Sequence, residues 1–255
     1  MATIAYPAGT ERGEAKFFFT MACIMAATII AGFSFNLAMG RSSFALPWLV
    51  HFHAWVMMGF VALYVTQNYL VFSDNVTLHR RLGWLSAIWI PAILMMGVLI
   101  TRYSLQTTGG PPFFDQNQFL FSNPLHLFGF GVMATWAVAI RKNTGWHRRL
   151  MFSAFAVLTG PGLGRLLPNP FLIPYAWYVS ALLPAVLFPA IGMLADKRRY
   201  GAVHPAWLCG IAIVLGIQVI ADLIAYSDWG IGFTRQFLAG TSGGERQMEA
   251  FFPAM

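Results

Sequence analysis

Long apolar runs separated by short basic segments dominate this sequence and limit it to very few folds. Seven runs approach or exceed the roughly 20 residues that a helix needs to cross a bilayer core: 16–40, 46–72, 82–102, 118–140, 148–167, 172–195 and 206–227. Only 10% of the residues are charged, against about 25% in soluble domains. The sequence therefore predicts an all-α integral membrane bundle of seven transmembrane helices and excludes a soluble or disordered chain.

The basic residues predict the orientation of the bundle. Eleven Lys and Arg residues flank one set of helix ends and five flank the other. The positive-inside rule assigns the richer side to the cytoplasm, which places the N-terminus there and the C-terminus outside. The net charge of +7 then reflects orientation, and no nucleic-acid partner is expected. We expect a multi-pass protein of the bacterial inner membrane, surrounded by the lipid bilayer.

The segments between the runs are too short to fold alone. We expect a single transmembrane domain over residues 1–255, with an extramembrane tail at 228–255. The fifth run contains the glycine- and proline-rich segment 160–164, so its outer third is predicted to be kinked or unwound. Cys23 and Cys209 lie far apart inside apolar runs, and they predict neither a disulfide nor a thiolate metal site.

An approximate internal repeat covers residues 46–168. In each unit, an apolar helix that carries a histidine leads to a His-Arg-Arg-Leu segment at the cytoplasmic side, from which the next helix returns. The two segments are His79–Leu82 and His147–Leu150. Membrane proteins often place a site at the interface between repeats. Residues 46–168 are therefore predicted to form a four-helix core that contains the functional site.

Four of the six histidines lie at matched depths in this core. His53 and His126 are expected roughly 10–12 Å below the outer surface, and His79 and His147 are level with each other at the cytoplasmic side. Neutral imidazoles that face each other in a bundle suit axial ligation of haem iron. Two other roles stay open. His53 and His126 are also suited to hydrogen bonds between helices, and His79 and His147 to contacts with lipid phosphates.

Three charged residues form a second candidate site near the outer surface. Arg102, Arg165 and Asp222 lie towards the outer ends of the third, fifth and seventh runs. An unpaired Asp at this depth costs a few kcal/mol, so we expect Asp222 to pair with one of the two arginines. The cluster would act as an anion or propionate clamp, or as a structural pair. Gln67 and Asn68 are candidates for a quinone headgroup or for interhelical hydrogen bonds.

The histidine motifs resemble those of two groups of membrane proteins. Residues 51–168 are similar to a family of uncharacterised bacterial multi-pass membrane proteins with paired His-Arg-x-Leu motifs. The arrangement over four helices is also topologically similar to the transmembrane di-haem cytochromes b, which accept electrons from ascorbate or quinol. That resemblance implies one haem b between His53 and His126, and a second between His79 and His147.

The leading hypothesis is a b-type haem membrane protein that passes electrons within or across the inner membrane, with His53 and His126 as its first axial pair. The alternative is a non-catalytic structural or pigment-holding subunit of a larger respiratory or photosynthetic complex. Its ligand would be a quinone or a chlorophyll-type pigment, and its partners other membrane subunits. A third hypothesis is a small transporter or sensor that uses the Arg102, Arg165 and Asp222 cluster.

Overall fold

The computed structural model describes residues 10–252, which fold into helices joined by short loops. The α-helices are α1 (Thr10–Ala38), α2 (Trp48–Phe72), α3 (Val76–Gly83), α4 (Ser86–Thr108), α5 (Gln116–Ala139), α6 (Thr144–Leu158), α7 (Gly160–Leu166), α8 (Leu183–Tyr200), α9 (Pro205–Ala225) and α10 (Asp228–Leu238). A π-helical turn, Tyr178–Leu182, leads directly into α8, and 3-10 turns occur at Asn169–Leu172 and Ser242–Glu245. These residues contain no strand, so the prediction of an all-α fold is confirmed.

Five helices are long and apolar enough to cross a membrane. They are α1, α2, α4, α9, and α8 together with its preceding π-helical turn. The prediction of a membrane protein with transmembrane helices is confirmed at this level. The other two predicted spans differ from these five. α5 has 24 residues but begins with the polar segment 116–118, and the run 148–167 is divided between α6 and α7, of 15 and 7 residues.

The break between α6 and α7 lies where the glycine- and proline-rich segment predicts it. Pro161 has no N–H group and cannot continue the regular hydrogen-bond ladder. The helix tightens just before it, since the Thr159 N–H donates to the Ala156 carbonyl three residues back at 3.2 Å. The Gly162 N–H then donates to the Thr159 carbonyl at 3.1 Å. The chain therefore stays helical but changes direction at this point.

Two glycines let α1 and α7 touch backbone to backbone. A Cβ atom on Gly32 would collide with the Gly162 carbonyl, and a Cβ atom on Gly162 would lie 2.5 Å from the Ile29 Cα atom. Small residues commonly allow this kind of close helix approach in membranes. The contact holds the short α7 against α1 and fixes the position of Arg165, one turn further on.

We expect Gly162→Ala to destabilise the bundle by about 1–3 kcal/mol, the usual cost of overpacking, because the colliding atoms belong to the backbone of α1. Gly216→Ala in α9 is the matched control, since a Cβ atom there meets nothing within 4 Å. The control should be neutral or slightly stabilising through helix propensity. Thermal melting of both variants in detergent measures the difference, and equal melting temperatures would contradict the close approach.

Helix α6 lies at the centre of the packing, with contacts to α5, α8 and α9. Its aromatic side chains connect it to the other half of the bundle. Phe155 is fully buried and stacks on Tyr64 of α2, with ring centres 3.9 Å apart. Phe60 of α2 in turn meets Phe130 of α5 at 5.5 Å. The core therefore joins both halves of the predicted repeat.

The two ends of the bundle differ in chemistry. The basic end carries His79–Arg81, His147–Arg149 and Lys197–Arg199. At the opposite end, the predicted tail begins with α10 and packs back onto the loop between α4 and α5. The Arg246 guanidinium there donates to the carbonyls of Gly109, Gly110, Pro111 and Phe114 at 2.6–3.1 Å. These bonds fasten the end of the chain to the helical body.

Candidate functional site

His79 and His147 lie side by side at the basic end. Their ring centres are 6.3 Å apart and their planes are nearly perpendicular, at 78°. The two histidines begin their helices in the same way, because Asn75 caps α3 and Asn143 caps α6 through side-chain oxygens. Equivalent caps place each histidine in the first turn of its helix. The structure thus brings together the pair that the repeat predicts.

Hydrogen bonds hold one nitrogen of each ring. The His147 Nδ1–H donates to the Ala137 carbonyl at 2.8 Å, which leaves the Nε2 lone pair free. On the other side, the Gln67 amide N–H group donates to His79 Nδ1 at 2.5 Å and to the His79 carbonyl at 3.0 Å, and the Gln67 amide oxygen accepts from the Gly83 N–H at 3.2 Å. In this arrangement the proton of the His79 ring is on Nε2. Gln67 therefore forms the interhelical bonds that the sequence predicts as one of its two roles.

The separation of the two rings matches a pair of ligands on one metal ion. When two imidazole nitrogens face each other across one ion, two bonds of about 2.1 Å, with about 1.1 Å from each nitrogen to its ring centre, span roughly 6.4 Å. The observed distance is 6.3 Å. Beside the pair, a Cβ atom on Gly83 would meet only the Gln67 amide oxygen, at 4.0 Å. Gly83 therefore leaves open space next to His79.

His126 is engaged in a different network, between α5 and α9. Its Nε2 lies 2.7 Å from Gln218 Oε1, and the same oxygen accepts from Trp177 Nε1 at 2.8 Å. Because an amide oxygen only accepts hydrogen bonds, His126 Nε2 carries the proton. The space beside Gly129, one turn further on, is filled by Ile217, whose Cδ1 would lie 2.6 Å from an added Cβ. The histidine acts here as a hydrogen-bonded core residue.

His53 faces other neighbours than His126. Its ring lies beside the Met96 backbone of α4 and within electrostatic range of Arg165. Its Nδ1 atom is buried and has no hydrogen-bond partner. The first axial pair expected from the sequence is therefore divided between two environments, since equal depth on two helices does not determine which way the side chains face.

Asp222 does not form the expected pair with Arg102 or Arg165. Its carboxylate accepts hydrogen bonds from Gln218 Nε2 at 2.8 Å and from the Tyr178 hydroxyl at 3.1 Å. Two neutral donors therefore satisfy it, one from its own helix and one from the π-helical turn before α8. Arg102 instead donates to Gln106 at 3.1 Å, one turn along its own helix. The structure does not bring the three charged residues together as one ion cluster.

A buried charge cluster at the basic end was not predicted from the sequence. Arg149 is only 2% exposed and donates to both Asp196 oxygens at 2.7 Å and to Glu14 at 2.8 Å. Arg148 pairs with the other Glu14 oxygen at 2.5 Å, and Trp207 Nε1 donates to Asp196 at 2.8 Å. The available signal was the position of two acidic residues, Glu14 and Asp196, in or next to apolar runs.

His204 lies beside this charge cluster, in the loop before α9. Its Nδ1 accepts from the Ala206 N–H at 3.2 Å and so caps α9. Burial, and then the positive charge of Arg149, lower the pKa of His204 from 6.5 to about 4. Burial and the neighbouring His147 ring also lower the pKa of His79. Both histidines are therefore neutral at physiological pH.

These lowered pKa values predict a loss of stability in acid. Between pH 6.5 and about 4, the unfolded chain binds a proton at His204 that the folded chain does not, so stability falls as the pH is lowered through this window. His204→Ser keeps a capping oxygen but removes the titrating ring. We expect its melting temperature to fall less than that of the wild type between pH 7 and pH 5. Equal falls would contradict the assignment.

The sequence matches no protein family model, no curated protein and no solved structure at a significant level. The fold itself defines an all-α membrane protein with five helices able to cross a bilayer. Within it, the histidine pair at the basic end is the arrangement best suited to hold a cofactor.

Proposed function

We propose that the chain is a b-type haem protein of the bacterial inner membrane that passes electrons within or across the bilayer, with His79 and His147 as the axial ligands. The single observation that carries this proposal is the 6.3 Å separation of the two rings, which fits two ligands on one iron ion. Porphyrin supplies four more ligands, so a haem site needs only two histidines from the protein.

The proposal includes seven membrane spans. α5 and the pair α6–α7 would cross the bilayer in addition to the five more apolar helices. Their polar groups are turned towards other helices: His126, Asn117 and Gln118 of α5 are all buried. A span with buried polar groups is less apolar in composition without being exposed to lipid. The basic end would then face the cytoplasm, with the N-terminus, and the C-terminus would lie outside.

The residues around the pair would orient both imidazoles. His147 already has the tautomer that a ligand needs, because its Nδ1–H donates to a backbone carbonyl and its Nε2 lone pair is free. Ligation through His79 Nε2 would need the other tautomer, in which Gln67 turns its amide oxygen towards Nδ1–H and gives up its bonds to the His79 carbonyl and the Gly83 N–H. Such second partners fix ring orientation and make the ligand more basic. A haem held by His79 and His147 would supply a reversible one-electron change at its iron.

Basic side chains near the pair would hold the acidic groups of the cofactor. Arg141 lies within electrostatic range of His147, and Arg80 within range of His79. Arginine forms strong charge-assisted hydrogen bonds with carboxylates, which suits the propionates of haem b. The proposal places one haem at this end of the bundle. A second haem at His126 is not favoured, because its Nε2 is hydrogen-bonded to Gln218 and Ile217 fills the adjacent space.

Pigment extraction from the purified full chain tests this proposal. We expect haem b, at about one per chain, to accompany the protein through purification. A chlorophyll-type pigment would instead favour the alternative of a pigment-holding subunit in a larger membrane complex. Protein that carries no pigment after expression with sufficient iron and haem precursor would overturn the proposal.

A further inference from the structure

Arg165, near the end of α7, is half-buried and forms no ion pair with an acidic residue in the described part of the chain. Its Nη1 donates to the Pro161 carbonyl at 2.7 Å, and its guanidinium lies over the Phe33 ring, with Cζ 4.0 Å from the ring centre. Its Nε atom is buried and has no hydrogen-bond partner. Among the residues described, every ion pair lies at the basic end, and Asp222 is satisfied by neutral donors.

His53 adds a second unsatisfied nitrogen to the same region. Its ring lies within electrostatic range of Arg165, and its buried Nδ1 has no partner. A buried polar atom without a hydrogen bond is unfavourable and calls for an explanation. Here two such nitrogens, on α2 and α7, belong to groups within electrostatic range of each other, and both groups can donate a hydrogen bond. One hydrogen-bond acceptor that also carries negative charge would satisfy both nitrogens.

The helix that carries Arg165 is closely packed on two sides. Gly162 packs against the backbone of α1, and a Cβ atom on Gly164 would lie 3.1 Å from Ser180 Cβ. These contacts determine where α7 places the arginine.

The location of the two residues brings them near the lipid headgroups. His53 follows Trp48, the first residue of α2, by five positions, which is about 7–8 Å along the helix. Trp48 is 86% exposed, and exposed tryptophans at helix ends are typical of the membrane interface. A group that carries phosphate at this level can reach the site with its charged end while its acyl chains remain in the bilayer.

We infer that His53 and Arg165 form a binding site for one phosphate group. The Arg165 Nε–H and a His53 Nδ1–H would donate to its oxygens, and the guanidinium would balance its charge. Arginine is well suited to phosphate because its planar donors match two oxygens at once. The phosphate would come from an anionic lipid headgroup or from free phosphate. This inference is independent of the haem proposal, because the residues lie away from the His79–His147 pair.

Thermal melting of the delipidated full chain in neutral detergent tests the inference. The additions are phosphatidylglycerol, phosphatidylcholine as the lipid control, and inorganic phosphate. We expect the melting temperature to rise with phosphatidylglycerol or inorganic phosphate. In Arg165→Gln and His53→Gln, the concentration that gives half of the rise should increase at least about tenfold. Arg102→Gln is the matched control, since this arginine lies in the last part of α4 and is hydrogen-bonded to Gln106.

Each outcome of the melting experiment either supports or overturns the inferred phosphate site. A response to phosphatidylglycerol alone identifies a lipid phosphate, and a response to inorganic phosphate identifies a site for the free ion. No response to either compound, or an equal response in Arg102→Gln and in the two site variants, overturns the inference. If Arg165→Gln does not fold, His53→Gln carries the test. The haem content of His53→Gln, measured in the same preparation, keeps a failure here distinct from a failure of the haem proposal.

Discussion

Replacement of Arg149 by methionine should destabilise the protein by about 3–5 kcal/mol, the usual effect of removing one partner of a buried ion pair. The carboxylates of Glu14 and Asp196 are 1% and 2% exposed. Without Arg149, Asp196 would lose the one ion pair it forms within residues 10–252, whereas Glu14 would keep its ion pair with Arg148. The Asp196 charge would then stay buried without a cation, and Glu14 would have one cation fewer beside it. We expect a large fall in melting temperature and in the yield of folded protein from the membrane.

Arg81→Met is the matched control for this prediction. Arg81 occupies the same position in the first His-Arg-Arg-Leu segment, and it is exposed. Surface substitutions of this kind usually change stability by less than about 0.5 kcal/mol. Equal melting temperatures for Arg149→Met and Arg81→Met would contradict the buried network around Arg149.

The two His-Arg-Arg-Leu segments, His79–Leu82 and His147–Leu150, show what the sequence can predict and what it cannot. Their local structure could be predicted, because an Asn cap and a following helix give both histidines the same position. The sequence could not predict whether the last arginine of each segment would be buried or exposed. Arg149 is buried because Glu14 of α1 and Asp196 of α8 meet it across the bundle, whereas Arg81 lies on α3, at the edge. The four residues of a segment do not predict which distant helices will contact them.

The same limit explains why the sequence did not predict the contacts of the charged residues near the outer surface, Arg102, Arg165 and Asp222. Composition and apolar length predicted the membrane class, and Pro161 predicted the break after α6. The partners of Asp222 depended on rotation about the helix axes, which one sequence does not provide. Asp222 accepts from Gln218, one turn back on its own helix, and α9 turns it towards Tyr178 of the turn before α8 and not towards an arginine. His53 and His126, at similar predicted depth, are likewise turned towards different helices.

Variants of the histidine pair should lose the cofactor, while a variant of His126 should keep it. We expect His79→Gln and His147→Gln to purify without haem, because each removes one axial ligand. Gln67→Leu should weaken haem binding by about 10–100-fold, as is typical when a second partner of a ligand is lost. His126→Gln should retain haem, with lower stability through the loss of its bond to Gln218. Haem content per folded chain measures all four.

The central claim is that His79 and His147 hold a haem, and a reduced-minus-oxidised difference spectrum tests it most directly. The wild type, purified from the membrane, should show an α-band at about 560 nm, as expected for haem b with two histidine ligands. His147→Gln should lose this band and His126→Gln should keep it. A wild type without the band, or a band of equal size in His147→Gln, would contradict the claim.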